Sequence, residues 1–200
     1  MAHPPGAALL VIDMQNGFVD SDGSVARRGA PMPEAARVVA ETSELLAAAR
    51  GAAMPVVYTA HVLDPDYFDA PARIVRRGVL NREEQALVRG TWDAAIADEL
   101  KPHAGDRLVE KNRYDAFLYT ELEQVLRALG VGRLLVCGVA TNVCVESTVR
   151  SAEQRDFAVT VASDCTSGPA GYHDAALAAM AYVAADVVPW RQGLEALTAA

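Results

Sequence analysis

Two hundred residues, 52% of them hydrophobic, can bury one substantial core, and this length suits a single α/β domain over 1–200. The formal net charge of −8 argues against a general affinity for nucleic acid or anionic membrane. No apolar stretch approaches the roughly 18 residues of a membrane span, and the leading MAHPPG lacks the basic and apolar regions of a signal peptide. Three cysteines without a CxxC pair or a disulfide framework fit a reducing, cytoplasmic setting.

Apolar runs and helical periods alternate along the chain. The first predicted strand is 7–12, followed by a helix over 33–50 closed by Gly51 and a second strand over 55–60. The segment 61–90 carries no strong period, and connections of that length often cover a site. A short helix is expected over 92–100, a strand over 107–110, and a helix over 119–129 closed by Gly130. Strands at 133–139, 157–162 and 186–188 then alternate with helices over 142–155 and 172–185. Most of the strand runs are continuously apolar, as in a parallel sheet covered on both faces. The expected fold is therefore a doubly wound, three-layer α/β/α architecture with a six-stranded, mainly parallel, Rossmann-like sheet, whose ligands bind beyond the carboxyl ends of the strands.

Those carboxyl ends carry complementary chemistry. The first strand delivers Asp13, the third Lys111, and the fourth, through the turn in GVATNVCVESTVR, delivers Cys144. Thr141 is a suitable helix N-cap, which would seat Cys144 in the first helical turn, where backbone donors and the helix dipole favour an anion and ease ionisation of the thiol. A cysteine attacking a carbonyl needs a base, and a carboxylate held by a cation suffices: Asp13 fits the base and Lys111 the cation. Taken singly, Asp13 could be a turn former, Lys111 a solvated strand end and Cys144 a core residue; their joint placement favours catalysis. Cys137 and Cys165 lie within or just after apolar strands and fit packing.

The segments LLVIDMQNGFVD, PVVYTAH, EKNRYDAF and GVATNVCVEST, in this order over nearly the whole length, resemble the isochorismatase-like cysteine hydrolases. The resemblance implies an Asp13, Lys111 and Cys144 triad, a cis peptide between Val139 and Ala140, and an oxyanion hole formed by the amides of Ala140 and Cys144. Within the family, GTWDAAIADEL, HAGDRLVEKNRYDAF and GVATNVCVESTVR look closest to amidohydrolases of carbamoyl or ureido groups, the ureidoacrylate amidohydrolases among them. The implied activity is cleavage of a C–N bond in a small amide, carbamoyl or ureido substrate through a thioester-type intermediate. Nicotinamidases are an alternative, but their metal-binding Asp-x-His…His pattern is not reproduced in YTAHVLDPDYF, where His61 stands alone, so neither a metal nor another cofactor is expected. Isochorismatase proper lacks the nucleophilic cysteine. A non-catalytic member or a redox sensor is a further alternative, and the sensor would need a resolving thiol.

Candidate substrate contacts are Phe18, Gln15, Trp92, Tyr114, Phe117 and Asn142, and Arg73, Arg76 and Arg77 could receive a substrate carboxylate. The family resemblance and the alanine-rich helix DAALAAMAYVAADV point to a homo-oligomer, dimer or tetramer, with a small molecule as the substrate partner.

Overall fold

The computed structural model describes residues 6–76 and 83–199. Its six strands are β1 (Gly6–Ile12), β2 (Val56–His61), β3 (Arg107–Lys111), β4 (Val131–Val139), β5 (Ala158–Ser167) and β6 (Asp186–Val188). They form one all-parallel sheet in the order β3-β2-β1-β4-β5-β6. The helices are α1 (Asn16–Val19), α2 (Ser24–Arg27), α3 (Ala35–Gly51), α4 (Ala72–Arg76), α5 (Leu122–Ala128), α6 (Glu146–Glu153), α7 (Tyr172–Val183) and α8 (Trp190–Thr198).

Alternation along β1 builds the three layers. Leu9 and Val11 join Val38, Leu45, Trp190 and Leu194 in a core under α3 and α8. Ala8, Leu10 and Ile12 face the other way, onto Leu122, Leu126, Val149 and Met180 from α5, α6 and α7. β1 and β2 lie inside the sheet and are apolar over most of their length, whereas edge strand β3 alternates exposed and buried positions. Gly138 in β4 has φ of 120°, and a Cβ there would lie 2.0 Å from the Ile12 carbonyl oxygen, so β1 and β4 can approach only because the residue is glycine.

Three local expectations are corrected. Residues 92–100 form turns ending in a 3₁₀ turn, Asp98–Leu100, because the chain after β1 already engages their backbone: the Trp92, Ala94 and Ala95 carbonyls accept from the Asn16 side chain, the Gln15 side chain and the Asn16 amide. The helix expected from 142 begins as a widened π turn, Thr141–Val145, before α6. Thr141 is therefore inside the turn rather than capping it, and its hydroxyl lies 2.8 Å from His173 Nδ1 on α7. Gly130 takes the expected left-handed stop after α5, but after α3 that conformation falls on Ala53.

Candidate active site

The sheet order reverses between β1 and β4, where helices diverge to opposite faces and leave a crevice at the carboxyl edge. Asp13 follows β1 in a left-handed conformation, φ 51°, that turns the chain at the sheet edge. Its amide donates to the Thr59 carbonyl on β2. Its carboxylate accepts from the Thr59 hydroxyl at 2.7 Å and from Lys111 Nζ at 2.6 Å, with both side chains of the ion pair fully buried. Lys111, the last residue of β3, also donates to the Arg113 carbonyl at 3.0 Å.

Cys144 sits in the π turn after β4, buried, with Sγ, a carboxylate oxygen of Asp13 and a ring nitrogen of His61 all within 4.8 Å of one another. The peptide between Val139 and Ala140 is cis, as the family resemblance implies. Burial opposes the Lys111 ammonium, but Asp13 and Cys144 outweigh it and raise its proton affinity, so it remains charged. Burial pushes the Cys144 thiol up; the attraction of Lys111 opposes that, and Asp13 reinforces it. The thiol is thus held neutral beside a carboxylate, contrary to the easy ionisation expected from its place in the turn.

Cys144 and His61 border a cavity of about 260 Å³ whose walls include Phe18, Val25, Met32, Leu63, Leu87 and Val143, and the Asp13–Lys111 pair lies behind them. Arg28 borders it too, with its guanidinium 2.9 Å from the Glu84 carboxylate. A larger depression of about 750 Å³ along α3 holds none of the reacting groups and is a poorer candidate.

Placement of the anticipated contacts is uneven. Phe18, Tyr114 and Ala140 border the cavity with Cys144. Gln15 does not: its side-chain amide donates to the His61 and Ala94 carbonyls at 2.9 and 2.8 Å and accepts from the His61 amide at 2.7 Å, leaving it a backbone clamp. Trp92 is half exposed, Phe117 packs on Phe157, and Asn142 near Gly168 is likewise absent from the cavity wall. Arg73 is exposed on α4, only the backbone of Arg76 is described, and Arg77 lies outside the described residues. His61 is the group the sequence left unused. It ends β2 one residue beyond the expected strand, and the carboxyl-edge rule that singled out Asp13 and Lys111 would have found it.

Asp13, His61 and Cys144 have the spacing of a metal-ligand set. Both Asp13 oxygens are already engaged, however, and a divalent cation there would face the Lys111 ammonium. The set is therefore poorly suited to hold a cation.

The all-parallel α/β sheet thus carries a buried carboxylate, ammonium and thiol together at its switch point. The chain belongs to the isochorismatase family: the model of the isochorismatase domain matches residues 7–192. It is 36% identical over 189 residues to the ureidoacrylate amidohydrolase RutB of Methylobacterium radiotolerans, covering 88% of this chain and 73% of that protein. Among solved structures, a cysteine hydrolase from Pseudomonas syringae pv. phaseolicola superposes with a TM-score of 0.84 at 28% identity, covering 98% of both chains. N-carbamoylsarcosine amidase from Thermoplasma acidophilum gives 0.76 at 27% identity, over 92% of this chain and 96% of that one.

Proposed function

We propose that the chain is a cysteine-dependent amidohydrolase that cleaves the C–N bond of a small amide, carbamoyl or ureido compound. The single observation that carries this mechanism is the buried Asp13–Lys111 ion pair beside Cys144, whose thiol borders the cavity at the sheet switch point. The relatives named ureidoacrylate amidohydrolase and N-carbamoylsarcosine amidase support the ureido or carbamoyl substrate class.

In the resting site the thiol is neutral and the Asp13 carboxylate is held by Lys111, so nucleophile formation is coupled to attack. As Sγ bonds to the carbonyl carbon, its proton passes to Asp13 and the carbonyl electrons move onto oxygen. Collapse of the tetrahedral intermediate breaks the C–N bond, and the nitrogen leaves with the proton from Asp13. Water then adds to the thioester or thiocarbamate, giving a proton to Asp13 that returns to sulfur as the acid is released. Lys111 keeps Asp13 in place and compensates its charge when the carboxylate is ionised. The amides of Ala140 and Cys144 are the donors assigned to the oxyanion, and removal of one such donor typically costs roughly 3 to 4 kcal/mol of transition-state stabilisation.

A cavity of about 260 Å³ with mostly apolar walls fits a small substrate. Cys137 and Cys165 are both buried and unpaired, which supports a reducing compartment and gives Cys144 no exposed resolving partner. On the outer face of α7, Tyr172 and Tyr182 stand exposed, in keeping with assembly into a homo-oligomer.

The test is ammonia release from ureidoacrylate, N-carbamoyl amino acids, biuret, nicotinamide and simple amides by wild type and Cys144→Ala. Release from a ureido or carbamoyl compound by wild type, abolished in a Cys144→Ala protein that remains folded, is the expected result. Equal turnover by the variant would overturn the mechanism.

A further inference from the structure

His61 is a buried polar side chain at the cavity that the chemistry above does not employ. It is 3% exposed, and its backbone N–H and C=O are both clamped by the Gln15 amide, which fixes the position of the ring at the end of β2. The ring forms part of the cavity wall and stands 6.4 Å from the Tyr114 ring, centroid to centroid. Its Nδ1 is buried without a hydrogen-bond partner. A buried polar group without a partner calls for an explanation in function or in a bound molecule. The ring also faces the reacting groups: one of its two nitrogens lies within 4.8 Å of both an Asp13 carboxylate oxygen and Cys144 Sγ, between which the scissile bond must sit.

We propose that His61 is a substrate-contacting residue whose imidazole accepts the N–H of the scissile amide or ureido nitrogen, making the enzyme selective for C–N substrates that carry a hydrogen on that nitrogen. The proposal rests on the amidohydrolase mechanism. During attack the trigonal nitrogen becomes pyramidal and develops a lone pair that must receive the proton from Asp13. Holding its N–H toward His61 turns that lone pair toward Asp13, because the imidazole and the carboxylate occupy different corners of the same triangle. No bond is made or broken at the imidazole. The ring is suited to accept because burial, reinforced by Lys111, keeps it neutral, with its proton affinity lowered to about 4. An ester has no N–H to offer and gains nothing from this contact.

The test compares kcat/KM for an amide and for the ester of the same acyl group in wild type, His61→Gln and His61→Phe. The expected result is that His61→Phe lowers the amide value at least tenfold more than the ester value, chiefly through kcat, and that His61→Gln, which retains an acceptor, recovers much of the difference. If His61→Phe does not fold, His61→Asn, which keeps polarity but shortens the reach, carries the same comparison. Equal losses on amide and ester would mean that the ring only packs, and an unchanged amide rate would likewise overturn the contact. A wild-type protein that hydrolyses neither compound through Cys144 would instead overturn the amidohydrolase mechanism, and the proposed contact with it.

Discussion

At the scale of single residues, the site depends on charges that water cannot reach. A buried carboxylate and ammonium offset each other's desolvation only when their geometry is good and their remaining bonding capacity is met. Asp13 and Lys111 meet this condition through Thr59 and the Arg113 carbonyl. His61 is kept neutral beside them by burial and Lys111, against the opposing pull of Asp13 and Asp69, with Arg113 adding a smaller push in the same direction as Lys111. Its folded proton affinity lies below its unfolded one, 6.5 falling to about 4, so the unfolded chain binds more protons between these values. Stability linked to His61 is therefore fully present above about pH 6.5 and is lost as the pH falls toward 4. At about 1.4 kcal/mol for each tenfold change in the proton equilibrium, the loss is on the order of 3 kcal/mol. Urea midpoints at pH 7 and pH 4.5 should show wild type losing stability relative to His61→Gln; a difference that stays flat with pH would contradict a buried neutral imidazole.

At the scale of elements, the turn after β1 organises the site more than any helix does. Gln15 joins the end of β2 to the 94–96 segment, reinforced by the Gln15–Ile96 bridge. Asp93 accepts from the Ser24 amide and hydroxyl and the Leu87 amide at 2.7 to 2.8 Å, tying together the segments that wall the cavity. Gln15→Ala would strip three buried backbone groups of their partner, so a loss of roughly 2 to 4 kcal/mol is expected by denaturant titration, together with a fall in activity as His61 loses its clamp. A loss below about 0.5 kcal/mol would contradict the clamp. These tertiary bonds also explain which elements were legible in the sequence. Continuous apolar runs gave the positions of the strands, and Gly130 marked the end of α5. The 92–100 segment has helix-forming residues, but its carbonyls are captured by Asn16 and Gln15, partners 76 to 79 positions away that no local pattern reveals. The short helices α1, α2 and α4 and the terminal α8 were not foreseen; α1, α2 and α4 are four or five residues long, too short to show a period.

At the scale of the molecule, the order β3-β2-β1-β4-β5-β6 places β1 and β4 side by side at the reversal. Asp13 and Cys144 therefore meet although 131 positions separate them in the chain. The chemical types at the strand ends were legible because the carboxyl-edge rule applies strand by strand. The walls were less so, because many of their residues come from 24–33 and from Leu63, Ala86 and Leu87, stretches shaped by turns and by the Leu63–Val88 bridge rather than by periodicity. Phe18 and Tyr114 could be named because they closely follow strand ends, while Val25, Met32 and Leu87 carry no mark that separates a cavity wall from a core.

The most direct measurement is intact-mass and peptide mass spectrometry of the enzyme quenched during turnover of a slow ureido or amide substrate. An acyl or carbamoyl increment located on Cys144 and absent from Cys144→Ala is the expected result. Product formation at full rate by Cys144→Ala, or an increment on a different residue, would contradict a nucleophilic role for this thiol.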